Sequence, residues 1–590
     1  MKALDKFEQY LRGSAPLPAK NRVWPLYGAG FENLGVDRKP IEVPMPDYGP
    51  DELLVRHDAC GHCFSDIKVI RAGQDHPRIY RDMKEDPIVL GHEVSLTVVG
   101  VGEALQDEYE VGDRFIVQAD IYVDGIGYAY GYEIQGGLSE YTVIDQRVLN
   151  GDHGNYLIPV AKETGYAEAA LTEPWACVIA AYELRYRTML RPKGTLWIIG
   201  TDRARENYTI SKGFDSEAHP AKLMLTKVPE AFDTWLRSEA DRLGIEVVDV
   251  PELPDPSAVE TDDSPVSPAE MVSSSGKGVD DIVVLGADPD IIERASPNLA
   301  SYGIMAIVDD TPMARPVNLD VGRIHYNRWL YVGSTSSDIA RAYADVPARS
   351  TLRPGGTAWF VGAGGPMGRM HVQRAIESAE GPGTIVCTDI SDERLNDLRN
   401  SFEPEAVEKG IEFLCLNPMN KERYAEEMAP FRESGFDDII VLAPVPAVIA
   451  DAATYLAPEG VMNIFAGVPR GKYAQIDLSG AFLKQTRVIG HSASTIDNMR
   501  SMLFLAETDE LSPNRSVAAI GSLEAAWDGL KAVAETEYPG KIVIYPHIKP
   551  LPLTAIADLK NTLPSVYEKL RNGTEWTVEA ETELLRVMLK

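Results

Sequence analysis

Two rhythms of apolar and polar residues divide the chain. From Lys20 to about Met189, short apolar runs are broken every few residues by Gly, Pro or Asp, which predicts short strands and a β-rich unit. From about Leu190, apolar runs such as GTLWIIG and DDIVVLG alternate with long helical patterns such as MHVQRAIESAE and ERLNDLRNSF. That alternation predicts parallel strands covered by helices.

The second rhythm is written twice. GVDDIVVLGADP at Gly278 matches GFDDIIVLAPVP at Gly435, YGIMAIVDD at Tyr302 matches EGVMNIFAG at Glu459, and WLYVGSTSSDI at Trp329 matches TRVIGHSASTI at Thr486, each 157 residues on. The opening glycines, Gly194 and Gly356, are 162 apart. One constant offset over three strands predicts two tandem doubly wound (Rossmann-type) domains. Between the early and late strands of the first copy, the run from Asp249 to Gly278 is rich in Pro, Ser and Asp and reads as an exposed loop. The expected domains are 1–189, 190–347, 348–500 and 501–590.

The copies differ where a dinucleotide would be held. In the second, TAWFVGAGGPMG places Gly362, Ala363, Gly364, Gly365, Pro366, Met367 and Gly368 between a strand and a helix. Taking Ala363 in the first position restores the G-x-G-x-x-G frame with Gly365 and Gly368. Such a loop lets the backbone approach a pyrophosphate at a helix N-terminus. The next strand ends in Asp389, whose carboxylate suits an adenosine ribose and would repel a 2'-phosphate, so NAD(H) is expected over NADP(H). The first copy offers Thr201, Asp202 and Arg203 after Gly200, and no dinucleotide is expected there.

Bulk properties narrow the function further. The chain has 590 residues, 44% hydrophobic and 25% charged, with a net charge of -32. That charge disfavours nucleic acid and anionic lipid as partners. No apolar run is long enough to span a bilayer, and the N-terminus mixes charges through its apolar residues, unlike a secretory signal. Five scattered cysteines do not make a disulfide framework, so a reducing cytoplasm is expected.

Candidate chemistry sits in the β-rich part. DACGHCFSDIKVI and GHEVSLTVVGVG supply Cys63, His92 and Glu93, and LTEPWACVIAAYE adds Glu173 and Cys177. Thiolate, imidazole and carboxylate are ligand types suited to zinc. Singly, Cys63 also reads as a small core residue, His92 as a hydrogen-bonded ring and Glu173 as a helix-start charge. CGHCFSD, GHE followed by VVGVG, then VGDRF, GGLSEY, EP and the closing PGKIVIYP, in this order, resemble the zinc-dependent medium-chain dehydrogenase/reductase superfamily. The resemblance is nearest to its polyol dehydrogenases and, in SDIKVI, HPR, RDM and GPMG, to sorbose-phosphate reductase-like members.

The resemblance implies a GroES-like catalytic domain, a return of the chain to it near Pro539, and a catalytic zinc on Cys63 and His92. Glu93 or Glu173 would be the third protein ligand or a carboxylate exchanging with water, with Glu173 ranked above Cys177. No cysteine lies between Cys63 and Cys177, so one zinc per chain and no structural zinc are expected. Hydride would pass between NAD(H) and a secondary alcohol of a polyol, sugar or sugar phosphate, with Ser65 as proton relay and Asp66 orienting the site. Lys68 stands where some relatives carry a relay histidine. A redox-neutral lyase or epimerase with retained NAD would use the same parts. Arg78, Arg81 and Lys84 either close over a hydroxylated or phosphorylated substrate or form a solvated loop. A homo-oligomer is compatible with the sequence, and the last strands of the two copies are expected to pair within the chain.

Overall fold

The computed structural model describes residues 5–253, 278–346 and 348–590; most of the Pro/Ser/Asp-rich run from Asp249 to Gly278 lies outside them. The chain divides into two compact units. One comprises residues 1–179, 365–370 and 493–590, and the other residues 180–364 and 371–492.

The first unit is built on an eight-stranded sheet whose central strand, Leu53–Gly61, is buried along its whole length. Three charged or polar residues inside that strand find their partners within the unit. Arg56 pairs with Asp58 at 2.6 Å, Thr97 donates to Asp58 at 2.6 Å, and His57 contacts Tyr130 Oη at 2.7 Å, as burial of such groups requires. Glu93–Val101 runs antiparallel beside it with Gly61 opposite Glu93. On the other side lies Lys541–Tyr545, more than four hundred residues later, with Val543 opposite Gly61. The unit therefore closes only when the C-terminal segment returns to it.

The second unit contains both doubly wound copies. Each has six parallel strands in the order third, second, first, fourth, fifth, sixth. First strands are Thr195–Gly200 and Thr357–Val361; sixth strands are Leu330–Ser334 and Arg487–Gly490. Sheets covered on both faces explain the near-continuous apolar runs. Even the polar exceptions repeat. Asp281 accepts the Arg191 amide and pairs with Arg187, as Asp438 does with Arg353 and Arg349. Trp197 Nε1 donates to Thr226 and Trp359 Nε1 to Thr388, at 2.9 and 3.0 Å. The duplication is thus one of interactions as well as of residues.

The copies face each other through a pseudo-twofold arrangement. Val317–Asp320 pairs antiparallel with its counterpart Tyr473–Ile476, Val317 opposite Ile476 and Leu319 opposite Ala474. The expected pairing of the last strands is not made: the sixth strands lie against each other in separate sheets, and the strand pairing between the copies is the Val317–Asp320 and Tyr473–Ile476 ladder instead. A Cβ on Gly333 would meet Phe482 Cβ at 2.7 Å, and one on Gly490 would meet the Ile324 carbonyl at 2.4 Å, reciprocal close approaches of the kind an isologous interface makes. One apolar core runs through both copies, from Trp197 and Ile324 to Trp359 and Phe482.

Candidate metal centre and dinucleotide loop

Strand register assembles the metal candidates. With Gly61 opposite Glu93, the residues just past one strand (His62, Cys63) and just before the other (His92) emerge at the same end of the sheet. Cys63 then caps the helix Phe64–Ala72, its amide bonded to Asp66 Oδ2 at 3.0 Å. The other oxygen of Asp66 meets His92 Nδ1 at 3.1 Å, which leaves Nε2 as the ring's ligand atom. Burial opposes a charged His92, but Asp66 and Cys63 outweigh it and raise its pKa well above the usual value.

Donor atoms of Cys63, His92 and Glu93 all lie within 4.8 Å of one another. Tetrahedral zinc bonds of about 2.0–2.3 Å set donor separations of roughly 3.3–3.8 Å, so a small closure of the side chains completes the set. Glu93 Oε2 is buried without a hydrogen-bond partner among the described residues, while Oε1 takes the Lys541 ammonium at 2.5 Å. Lys541 also donates to the His62 carbonyl at 2.7 Å. Burial works against its charge, yet Glu93 and Cys63 raise its pKa. At Gly61 a Cβ would stand 2.1 Å from Glu93 Oε2, so this carboxylate needs glycine opposite it. An orphaned oxygen beside a thiol and an oriented imidazole fits a metal of zinc's chemistry.

Glu173 lies outside that three-residue group but near it: burial pushes its pKa up to about 7, against the pull of His92 and Lys541. Cys177, half-buried, also lies outside the three-residue group, its pKa raised by burial and Glu173. Ser65 is half-buried one residue after the start of the Cys63-capped helix, and Lys68 is exposed on that helix. Arg81 is committed to Glu133 and Asp86, at 3.1 and 3.0 Å. Arg78 pairs with Asp120 and donates to Tyr122 Oη at 3.1 Å. Lys541 is the residue that motif reading passed over; its only signal was a lysine opening the strand in PGKIVIYP.

The dinucleotide loop of the second copy has the expected strand, turn and helix, with Pro366–Glu377 starting directly after the glycines. Gly362 has φ +82°, and its amide and that of Ala363 both reach the Thr388 carbonyl. Asp389, at the end of the second strand, accepts from the Gly364 and Ser391 amides, each at 3.0 Å. A Cβ on Gly364 would stand 2.6 Å from Arg394 Cβ, whereas Gly365 faces open space. In the first copy no helix follows Gly200. Arg203 instead spans to the Ala287, Thr311 and Pro312 carbonyls and to Asp309, and Arg205 reaches the Thr335 carbonyl. The crevice between its strand ends is filled by its own arginines.

Comparison with known proteins agrees with this layout. Residues 49–150 match the model of the alcohol dehydrogenase GroES-like domain. An uncharacterized protein of Escherichia coli (strain K12), YggP, is 23% identical over 96% of this chain and 97% of its own. Mannitol-1-phosphate 5-dehydrogenase of Aliivibrio fischeri is 23% identical over 92% of this chain and 93% of its own. L-sorbose 1-phosphate reductase of Klebsiella pneumoniae is 26% identical over 50% of this chain and 72% of its own. The first two alignments are long enough to include the additional doubly wound copy. No helix among the described residues is long and apolar enough to cross a membrane. Residues 49–150 are thus similar to the GroES-like domain of alcohol dehydrogenases, and over longer stretches the chain is similar, at 23–26% identity, to polyol- and sugar-phosphate dehydrogenases and reductases.

Proposed function

We propose that the protein is a zinc-dependent dehydrogenase that moves a hydride between NAD(H) and a secondary alcohol or ketone of a polyol, sugar or sugar phosphate. The observation that carries this reading is the convergence of Cys63, His92 and Glu93, with Asp66 behind His92 and Lys541 behind Glu93. Zinc on these three residues supplies a Lewis acid for the substrate oxygen, and NAD on the Gly362–Gly368 loop supplies the hydride acceptor.

The chain's own residues do the remaining work. Asp66 fixes the tautomer of His92 so that Nε2 faces inward. Lys541 holds one oxygen of Glu93 and leaves the other for the metal. With Glu93 as third ligand, Glu173 takes the part of the carboxylate that exchanges with water. Ser65 Oγ takes the alcohol proton and passes it outward, with Lys68 on the same helix where some relatives carry a relay histidine. Asp389 receives the adenosine ribose and selects NAD over NADP.

A panel of polyols, ketoses and their phosphates with NAD and NADP, run beside Cys63→Ala and metal analysis, tests the reading. It predicts about one zinc per chain and loss of activity in the variant. Full activity in Cys63→Ala, or well under one zinc per chain, would overturn it. The first copy, residues 190–347, serves in this reading as a built-in partner that covers the edge of the second. Excising it exposes the Arg487–Gly490 edge, so the shortened protein should self-associate in sedimentation; a monomer of unchanged stability would refute that role.

A further inference from the structure

Resting on the dehydrogenase reading above, we infer that the first doubly wound copy positions the nicotinamide half of the dinucleotide. His325, helped by Tyr326 and Asn327, is the positioning residue, and it acts through residues 465–472 of the second copy.

The place of that segment follows from the strand order. A dinucleotide lies across the switch between the two halves of such a sheet. In the dehydrogenase reading Asp389, after the second strand, takes the adenosine half. The other half then falls at the ends of the fourth and fifth strands, Phe436–Val441 and Leu456–Ile464, where residues 465–472 begin. Phe465 and Ala466 both give their amides to the Val441 carbonyl, at 3.0 and 2.9 Å. A Cβ on Gly362 in the glycine loop would meet the Ala443 amide at 3.1 Å, so the loop and these strand ends border one crevice. The segment has little rigidity of its own, for it contains Gly467 and Gly471, the latter at φ +79°.

The first copy supplies what the segment lacks. His325 is buried, and its Nδ1 donates to the carbonyl of Ile464, the last residue of the fifth strand, at 3.0 Å. A carbonyl only accepts, so Nδ1 carries the proton. Beside it lies Tyr326, its Oη 3.3 Å from a Cβ placed on Gly467 and its ring 5.1 Å from the Arg470 guanidinium. Arg470 Nε donates to Asn327 Oδ1 and the Gly471 amide to Asp320 Oδ2, each at 2.9 Å, and the Val321 amide reaches the Lys472 carbonyl at 3.0 Å. Ordering a segment before its ligand arrives removes that cost from binding.

The pseudo-twofold contains its own control. At the offset of 157, His325, Tyr326 and Asn327 correspond to Phe482, Leu483 and Lys484, and Ile464 corresponds to Ile307. A Cβ on Gly333 would meet the Ile307 carbonyl at 2.6 Å and Phe482 Cβ at 2.7 Å, so an apolar ring occupies the matching place. Phenylalanine offers no donor there. A contact that only held the copies together would serve with phenylalanine on both sides, yet the donor stands on the side that faces the copy with the glycine loop.

The test compares zinc-loaded full-length wild type with His325→Phe and His325→Asn, each titrated in a calorimeter with NAD and with ADP-ribose, which lacks the nicotinamide. His325→Phe copies the counterpart residue and should bind NAD about three- to tenfold more weakly, the worth of one hydrogen bond, while binding ADP-ribose as the wild type does. His325→Asn offers an N–H to the same carbonyl and should keep most of the wild-type affinity for NAD. Amide exchange of residues 465–472 should quicken in His325→Phe and not in His325→Asn. Unchanged NAD binding in His325→Phe overturns the inference, and so does an equal loss of NAD and ADP-ribose, which a merely structural role produces. Asn327→Ala, which removes the acceptor of Arg470, carries the same comparison if His325→Phe does not fold. A wild type that binds neither ligand sinks the dehydrogenase reading and this inference with it, whereas a wild type that binds both leaves only the inference at stake.

Discussion

Lys541→Met is the sharpest test of how the metal centre is built. Lys541 and Glu93 are a buried pair, 2.5 Å apart with side chains 6% and 0% exposed. Removing the ammonium leaves the Glu93 carboxylate buried beside the Cys63 sulfur with no cation of its own. Breaking a buried pair in this way costs about 3–5 kcal/mol. At roughly 2–4 °C per kcal/mol for a unit of a few hundred residues, the metal-free protein should melt about 6–20 °C lower in its GroES-like unit. Zinc supplies the missing counter-charge, so loading should recover much of that loss and widen the gap between metal-free and loaded variant beyond that of the wild type. Glu93→Gln combined with Lys541→Met removes both charges and should be more stable than Lys541→Met alone when metal-free. Scanning calorimetry on chelator-treated and zinc-reconstituted proteins reads all of these. A metal-free Lys541→Met that melts with the wild type would refute the assignment of Lys541 as the residue that holds Glu93.

Three further outcomes follow from buried groups and close approaches. Burial lifts Glu168 from the usual 4.5 to about 7, so the folded state keeps a proton that the unfolded chain releases as pH rises through this interval. At about 1.36 kcal/mol per unit, up to about 3 kcal/mol of stability is present below pH 4.5 and lost by pH 7, and Glu168→Gln should flatten that decline in urea midpoints at pH 5 and pH 8; parallel declines in both proteins would count against it. Gly364→Ala puts a Cβ 2.6 Å from Arg394 Cβ and 2.8 Å from Asp389 Oδ2, and calorimetry should find NAD binding weakened at least about tenfold, with undiminished affinity the contrary result. Gly490→Val overpacks a contact made entirely with Ile324 and His325 of the other copy and should cost about 1–3 kcal/mol by chemical denaturation; a neutral effect would mean the copies do not bear on each other there.

What the sequence made legible and what it did not differ by the range of the interaction. The two doubly wound copies could be read because burial on both faces writes each strand as an apolar run, and because Asp280 and Asp281 recur as Asp437 and Asp438 inside it. The metal candidates could be read from residue type and motif order. Lys541 could not, because its role comes from the register that sets Val543 opposite Gly61, across a separation of 448 residues from Glu93. The pairing of Val317–Asp320 with Tyr473–Ile476 was likewise hidden: VNLD and YAQI are short and half polar, and nothing local chooses their partner. Within each copy these contacts occupy different strands from those that would serve a cofactor. A dinucleotide depends on the loop after the first strand and the acid after the second, whereas contact between the copies depends on the sixth strand and the antiparallel segment before it. The first copy therefore keeps its interface although Arg203 and Arg205 fill its crevice and no helix follows Gly200. Without the glycine loop the first copy lacks one of two separable capacities of the fold, while the strand order that supports the other is present.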